Sequence, residues 1–61
     1  METPDRTGGF AVRYHSPQGW RIYRHGELWD ETYYDAEREA VDALALRRPQ
    51  EATELYKRFR N

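Results

Sequence analysis

Apolar and polar side chains alternate from Phe10 to His15, with Phe10, Val12 and Tyr14 on one side and Ala11, Arg13 and His15 on the other. A period of two predicts a half-buried strand. Ser16-Pro17-Gln18-Gly19 follows, with Pro second and Gly fourth, which predicts a type I turn closed by a glycine bulge. A second run from Trp20 to Arg24 meets a third that begins at Glu27. His25-Gly26 between them suits a type I′ turn, because His tolerates and Gly favours the positive φ such a turn requires. Around it Arg24 faces Glu27, Ile22 faces Trp29, Arg21 faces Asp30 and Trp20 faces Glu31. Counting back through the first turn, Ser16 faces Trp20, Tyr14 faces Ile22, Arg13 faces Tyr23 and Val12 faces Arg24. Both registers place Phe10, Val12, Tyr14, Trp20, Ile22 and Trp29 on one face. The other face holds Arg13, His15, Arg21, Tyr23, Leu28 and Asp30. A slip by one residue would turn both tryptophans to solvent. The third strand is expected to run on through Thr32 to Tyr33 or Tyr34.

Beyond that strand the period changes. Asp35 is the expected N-cap of a helix, with Glu37 and Glu39 in its positive first turn. From about Ala36 to Arg47, Ala40, Val41, Leu44 and Ala45 share one side. Pro49 cannot continue this helix but suits the first position of a new one. Gln50 to Arg60 then places Ala52, Leu55, Tyr56 and Phe59 at i, i+3, i+4 and i+7. The expected fold is α+β: a three-stranded antiparallel meander packed against one long and one short C-terminal helix, β-β-β-α-α in two layers. Met1 to Gly9 shows no apolar period and reads as a flexible tail, leaving residues 10–61 as a single domain.

The chain has 61 residues, no Cys and two His. A chain of this size buries only roughly 60% of its unfolded surface and usually needs help to be stable. Neither a disulfide nor a metal staple is evident, so packing falls to the nine aromatic residues. No apolar run approaches the roughly 18 residues of a membrane span, and the first nine residues lack the apolar centre of a signal peptide. The reading is a cytoplasmic protein without membrane contact. The formal net charge of −1 hides a pattern. Residues 6–26 carry four Arg and no acid, residues 27–46 carry seven acids and one Arg, and residues 47–61 carry five bases and two acids. A dedicated duplex-DNA binder usually has a clearly basic balance, which this chain lacks.

The inventory argues against an enzyme. Ser16 is the only Ser and sits in the first turn, and its neighbour His15 points to the other side of a strand. His15 and His25 form no metal spacing with the carboxylates, and Gly8-Gly9 and Gly19 match no phosphate loop. No cofactor is expected. Two binding surfaces remain. One is the outer sheet face, where Arg13, His15, Arg21 and Tyr23 could contact nucleic acid. The other is an acidic rim of Glu27, Asp30, Glu31, Glu37, Glu39 and Asp42, which would complement a basic protein surface, including one that handles nucleic acid. The apolar side of the second helix, with Tyr56 and Phe59, is a candidate for homodimer formation.

The pattern Gly19-Trp20-x-Ile22-x-Arg24-x-Gly26, Tyr33-Tyr34-Asp35, Glu39-Ala40 resembles short uncharacterised bacterial and phage domains that read "GW-x-V…G…F-D-T…EA" in a β-β-β-α arrangement. The resemblance covers residues 10 to 46. Position 36, where those domains carry a capping Thr, is Ala here. The topology is also similar to the three-stranded DNA-binding modules of apetala-type factors and of recombinase arm-binding domains. Their exposed sheet face enters the major groove, and by position that role falls on Arg13, Arg21 and Tyr23. The small isolated domain further resembles phage accessory and anti-defence proteins, which act as stoichiometric inhibitors of host machinery. The leading expectation is therefore a non-enzymatic interaction protein that binds a protein partner through its acidic rim. The alternative is a nucleic-acid-binding module that uses the basic sheet face.

Overall fold

The computed structural model describes residues 6–59 of the chain. Three strands, β1 (Phe10–His15), β2 (Gly19–Arg24) and β3 (Glu27–Leu28), form an antiparallel sheet in the order β1-β2-β3. Two helices follow, α1 (Glu37–Ala45) and α2 (Pro49–Tyr56), the second ending in a 3₁₀ turn over Lys57–Phe59. This is the expected β-β-β-α-α arrangement. The buried core is Phe10 and Ile22 from the sheet, Ala40, Val41 and Leu44 from α1, and Ala52 and Leu55 from α2. Val12, Trp20, Trp29, Tyr34, Ala45 and Tyr56 pack around it, half-buried. Trp29 meets Phe10 edge to face, with centroids 5.1 Å apart, an arrangement that adds to burial alone.

The β2–β3 turn forms as expected: His25 has φ 53° and Gly26 φ 83°. Arg24 pairs with Glu27, and the Trp29 amide donates to Ile22 O at 3.0 Å. The β1–β2 register differs from expectation by two residues. Tyr14, not Ser16, pairs with Trp20, and Arg13 pairs with Arg21. The loop is Ser16-Pro17-Gln18, with a cis Ser16–Pro17 peptide, and Gly19 belongs to β2 opposite His15. A shift of two leaves every side chain on its expected face. Tyr14 alone of that face is largely exposed, at 55%, packed edge-on against Trp20.

Four further boundaries move. β3 stops at Leu28, and the chain returns to the sheet only at Tyr34, whose amide and carbonyl both bond Trp20 at 2.8 Å. α1 begins at Glu37 with Ala36 as its N-cap and no capping side chain. Asp35 lies one residue too early, because the Tyr34 bridge fixes the chain just before it and Ala36 is still extended. α1 ends at Ala45 rather than Arg47, as Pro49 excludes helical geometry at Arg48 (φ −133°, ψ 70°). α2 then starts on Pro49 itself and gives way to the 3₁₀ turn at Lys57. Three residues per turn in place of 3.6 rotates Phe59 off the buried line, and it is 41% exposed. Arg60, the expected end of the second helix, lies outside the described residues.

The expected N-terminal tail divides. Met1 to Asp5 lie outside the described residues, whereas residues 6–9 form a turn closed by Phe10 N to Thr7 O at 3.1 Å. The His25 amide bonds Gly9 O at 2.9 Å, and Arg24 Nε donates to Gly8 O at 3.1 Å. Thr7 is buried.

Candidate nucleic-acid interface

The outer sheet face is built by pairing. Ala11 stands opposite Tyr23, Arg13 opposite Arg21 and His15 opposite Gly19, while Tyr23 also pairs with Leu28 of β3. The four nucleic-acid-binding candidates from the sequence, Arg13, His15, Arg21 and Tyr23, are therefore together. Arg13 and His15 are exposed, and Arg21 and Tyr23 are half-buried.

Asp30 does not join them. Its expected pairing with Arg21 is lost because β3 ends two residues earlier. Asp30 Oδ1 accepts from the Thr32 amide at 3.1 Å, and Oδ2 accepts from the Tyr34 hydroxyl at 2.7 Å. An Asp bonded to the amide two residues on forms an Asx turn. The Tyr34 hydroxyl and then the Thr32 amide hold the Asp30 carboxyl below its ordinary range. Burial and then the Asp30 carboxylate push the Tyr34 phenol up. The expected pairing of Trp20 with Glu31 is lost with it, Tyr34 taking that place.

Tyr33 takes the position that Asp30 vacates. The Arg21 guanidinium carbon lies 4.4 Å from the Tyr33 ring centroid. The His15 ring is tilted 34° to that of Tyr33, with centroids 6.2 Å apart. Tyr33 remains 40% exposed. Arg21 Nε is buried and has no hydrogen-bond partner. Among the described residues the salt bridge is Lys57 to Glu54, so neither Arg13 nor Arg21 has an acidic partner there. Like charges directly opposed on a strand pair are destabilising, by up to about 1 kcal/mol. The face therefore presents two guanidinium groups, neither in a salt bridge among the described residues, beside three rings.

No family model, no curated protein and no solved structure matches this chain.

Sequence reasoning missed Tyr33, although a signal was present. Strict alternation through strand three sends Glu31 to the apolar face opposite Trp20. Burying a lone carboxylate there is unfavourable. Looping out the intervening residues brings Tyr34 opposite Trp20 instead and turns the adjacent Tyr33 outward.

The acidic candidates are scattered in role. Asp30 is engaged as described, and Asp42 accepts a hydrogen bond from the Tyr56 hydroxyl. That bond, and then burial, raise the Tyr56 phenol. Glu37 is half-buried beside Arg13 and Arg58 in a groove of about 240 Å3 between β1 and the helices. Glu27, Glu31 and Glu39 are exposed. Arg24, opposite Glu27, lies over the Phe10 ring at 4.7 Å. Tyr56 and Phe59 line a groove of about 540 Å3 with Arg38, Thr53 and Lys57. Among the described residues no group of three His, Asp or Glu could hold a metal ion, and no helix is long and apolar enough to cross a membrane.

Proposed function

We propose that the chain is a non-enzymatic nucleic-acid-binding module that acts through its outer sheet face. The observation that carries this reading is the direct opposition of Arg13 and Arg21 on a face whose expected counter-charge, Asp30, is bonded elsewhere. Two such guanidinium groups gain most from an anionic partner, and Arg is the side chain best matched to phosphate. The three-stranded DNA-binding modules that the topology resembles use the corresponding face. Docking of a protein partner on the acidic rim has less geometric support, because Asp30 and Asp42 already accept tyrosine hydroxyls and Glu37 is half-buried.

The test is a fluorescence anisotropy titration of a labelled oligonucleotide across a salt series. With one or two phosphates neutralised, the slope of log K against log salt is about −0.7 to −1.8. Arg13→Glu abolishes binding. The same change creates an opposite-charge cross-strand pair with Arg21, so the fold becomes more stable by about 0.2–1 kcal/mol. Binding and stability thus move in opposite directions, which general damage to the fold cannot mimic. No binding at low salt, or binding that survives Arg13→Glu, overturns the reading.

A further inference from the structure

Resting on that reading, we infer that the occupant of the outer face is single-stranded RNA, with one base stacked on Tyr33 and the adjacent phosphate held by Arg13. A protein that reads a duplex groove must extend several side chains to base edges. Arg21 is not placed for that: it lies over Tyr33 and its Nε is buried. Arg13 is the exposed guanidinium of the pair, and Tyr23, Leu28 and Tyr33 elsewhere on the face offer ring and apolar surface. Such groups meet the face of a base, which a duplex hides and a single strand presents.

Tyr33 has the environment of a stacking platform. Arg21 occupies one side of the ring, His15 sits beside it, and two-fifths of the residue remains exposed. A guanidinium behind the ring anchors it and leaves the remainder to the ligand. Charge favours the same conclusion. Duplex DNA carries about one charge per 1.7 Å of axis, twice the density of either strand. A chain of net charge −1, with seven acids between residues 27 and 46, repels that denser array more strongly. The choice of RNA follows from the neutral polar groups of the face. The Tyr23 and Tyr33 hydroxyls and the His15 imidazole have no hydrogen-bond partner among the described residues, and each can bond a ribose 2′-hydroxyl.

The experiment titrates the full chain with three labelled oligonucleotides of one sequence, about ten nucleotides long: single-stranded RNA, single-stranded DNA and duplex DNA, all at one salt concentration. RNA is expected to bind at least about tenfold tighter than duplex. Tyr33→Leu, which keeps an apolar cover over Arg21 but removes the π face, weakens RNA binding by about 5- to 150-fold. Tyr33→Phe keeps the ring and retains most of the affinity. Thermal melts of both variants establish that they are folded. Duplex binding as tight as RNA, or RNA binding unchanged in Tyr33→Leu, overturns the inference while the nucleic-acid reading survives. Single-stranded DNA binding as tight as RNA overturns the assignment to RNA. Failure of all three oligonucleotides to bind overturns both the inference and the reading beneath it.

Discussion

Gly19 is where the sheet, the loop and the candidate interface depend on one missing methyl group. Its φ is +137°, and a Cβ built there would lie 2.5 Å from the Tyr34 carbonyl oxygen. That oxygen accepts the Trp20 amide, and the Tyr34 amide donates back to Trp20 O, both at 2.8 Å. Gly19→Ala therefore carries two penalties. The first is backbone strain, about 1–3 kcal/mol for a side chain held at such a φ. The second is displacement of Tyr34, which breaks two hydrogen bonds worth about 1 kcal/mol each. The sum, about 3–5 kcal/mol, compares with a total stability of about 3–9 kcal/mol for a chain of this length. Gly26→Ala is the internal control. Gly26 also has positive φ, +83°, but nothing lies within 4 Å of a Cβ built there, so only the strain remains, about 1–2 kcal/mol. Thermal unfolding followed by circular dichroism separates the two variants. At about 4–8 °C per kcal/mol for a small domain, Gly19→Ala melts at least about 4 °C below Gly26→Ala. Equal melting temperatures for the two would mean that the Trp20–Tyr34 bridge does not hold the loop, and the placement of Tyr33 would fall with it.

Asp30→Asn keeps the shape of the loop and removes its charge. The folded pKa of Asp30 lies below its unfolded value, so its contribution is present above the ordinary carboxylate pKa and is lost as pH falls through the folded value. Tyr34 has the opposite sign: its raised pKa contributes below the ordinary phenol value and is lost as pH rises through the folded one. Discounted for solvent exposure, the Asp30 share is about 1 kcal/mol. Urea midpoints should therefore place wild type above Asp30→Asn near pH 7 and narrow that gap as pH falls below the ordinary carboxylate range; a gap unchanged by acid refutes the assignment. Leu44→Ala empties a fully buried site on α1 and costs about 2–5 kcal/mol, whereas Leu46→Ala, at a residue 87% exposed, stays within about 0.5 kcal/mol. Chemical denaturation checks both, and similar losses for the two would contradict the burial of α1.

Most of the fold was legible because its signals are periodic and local. Alternation located β1 and β2, the spacing of Ala40, Val41 and Leu44 located α1, and His25-Gly26 set one turn and its register together. The misplaced β1–β2 loop did little harm, since a two-residue shift preserves faces. Helix ends were less legible. They depend on what the chain is attached to: the bridge at Tyr34 delays α1, and the change to a 3₁₀ turn moves Phe59 outward. The turn over residues 6–9 was invisible, because it is held by Gly8 and Gly9 carbonyl oxygens that any sequence would offer.

The candidate interface was half legible, and the missing half has a single cause. Extending strand three past Trp29 by alternation keeps backbone pairing for residues 30–33 but places Glu31 opposite Trp20. Burial of an unpaired carboxylate costs more than the net loss of a few backbone bonds whose groups stay in water. The chain accordingly gives up that stretch of ladder and recovers part of the difference through the Asx turn at Asp30, the Tyr34–Asp30 bond and the Trp20–Tyr34 bridge. The same choice has two consequences on the far side of the sheet: Asp30 no longer neutralises Arg21, and Tyr33 comes to rest on it. A purely local rule treats these as unrelated. They follow together once the exposure of Glu31 is taken as the constraint, which makes the position of one unremarkable glutamate the reason that the outer face is cationic and aromatic rather than electrically balanced.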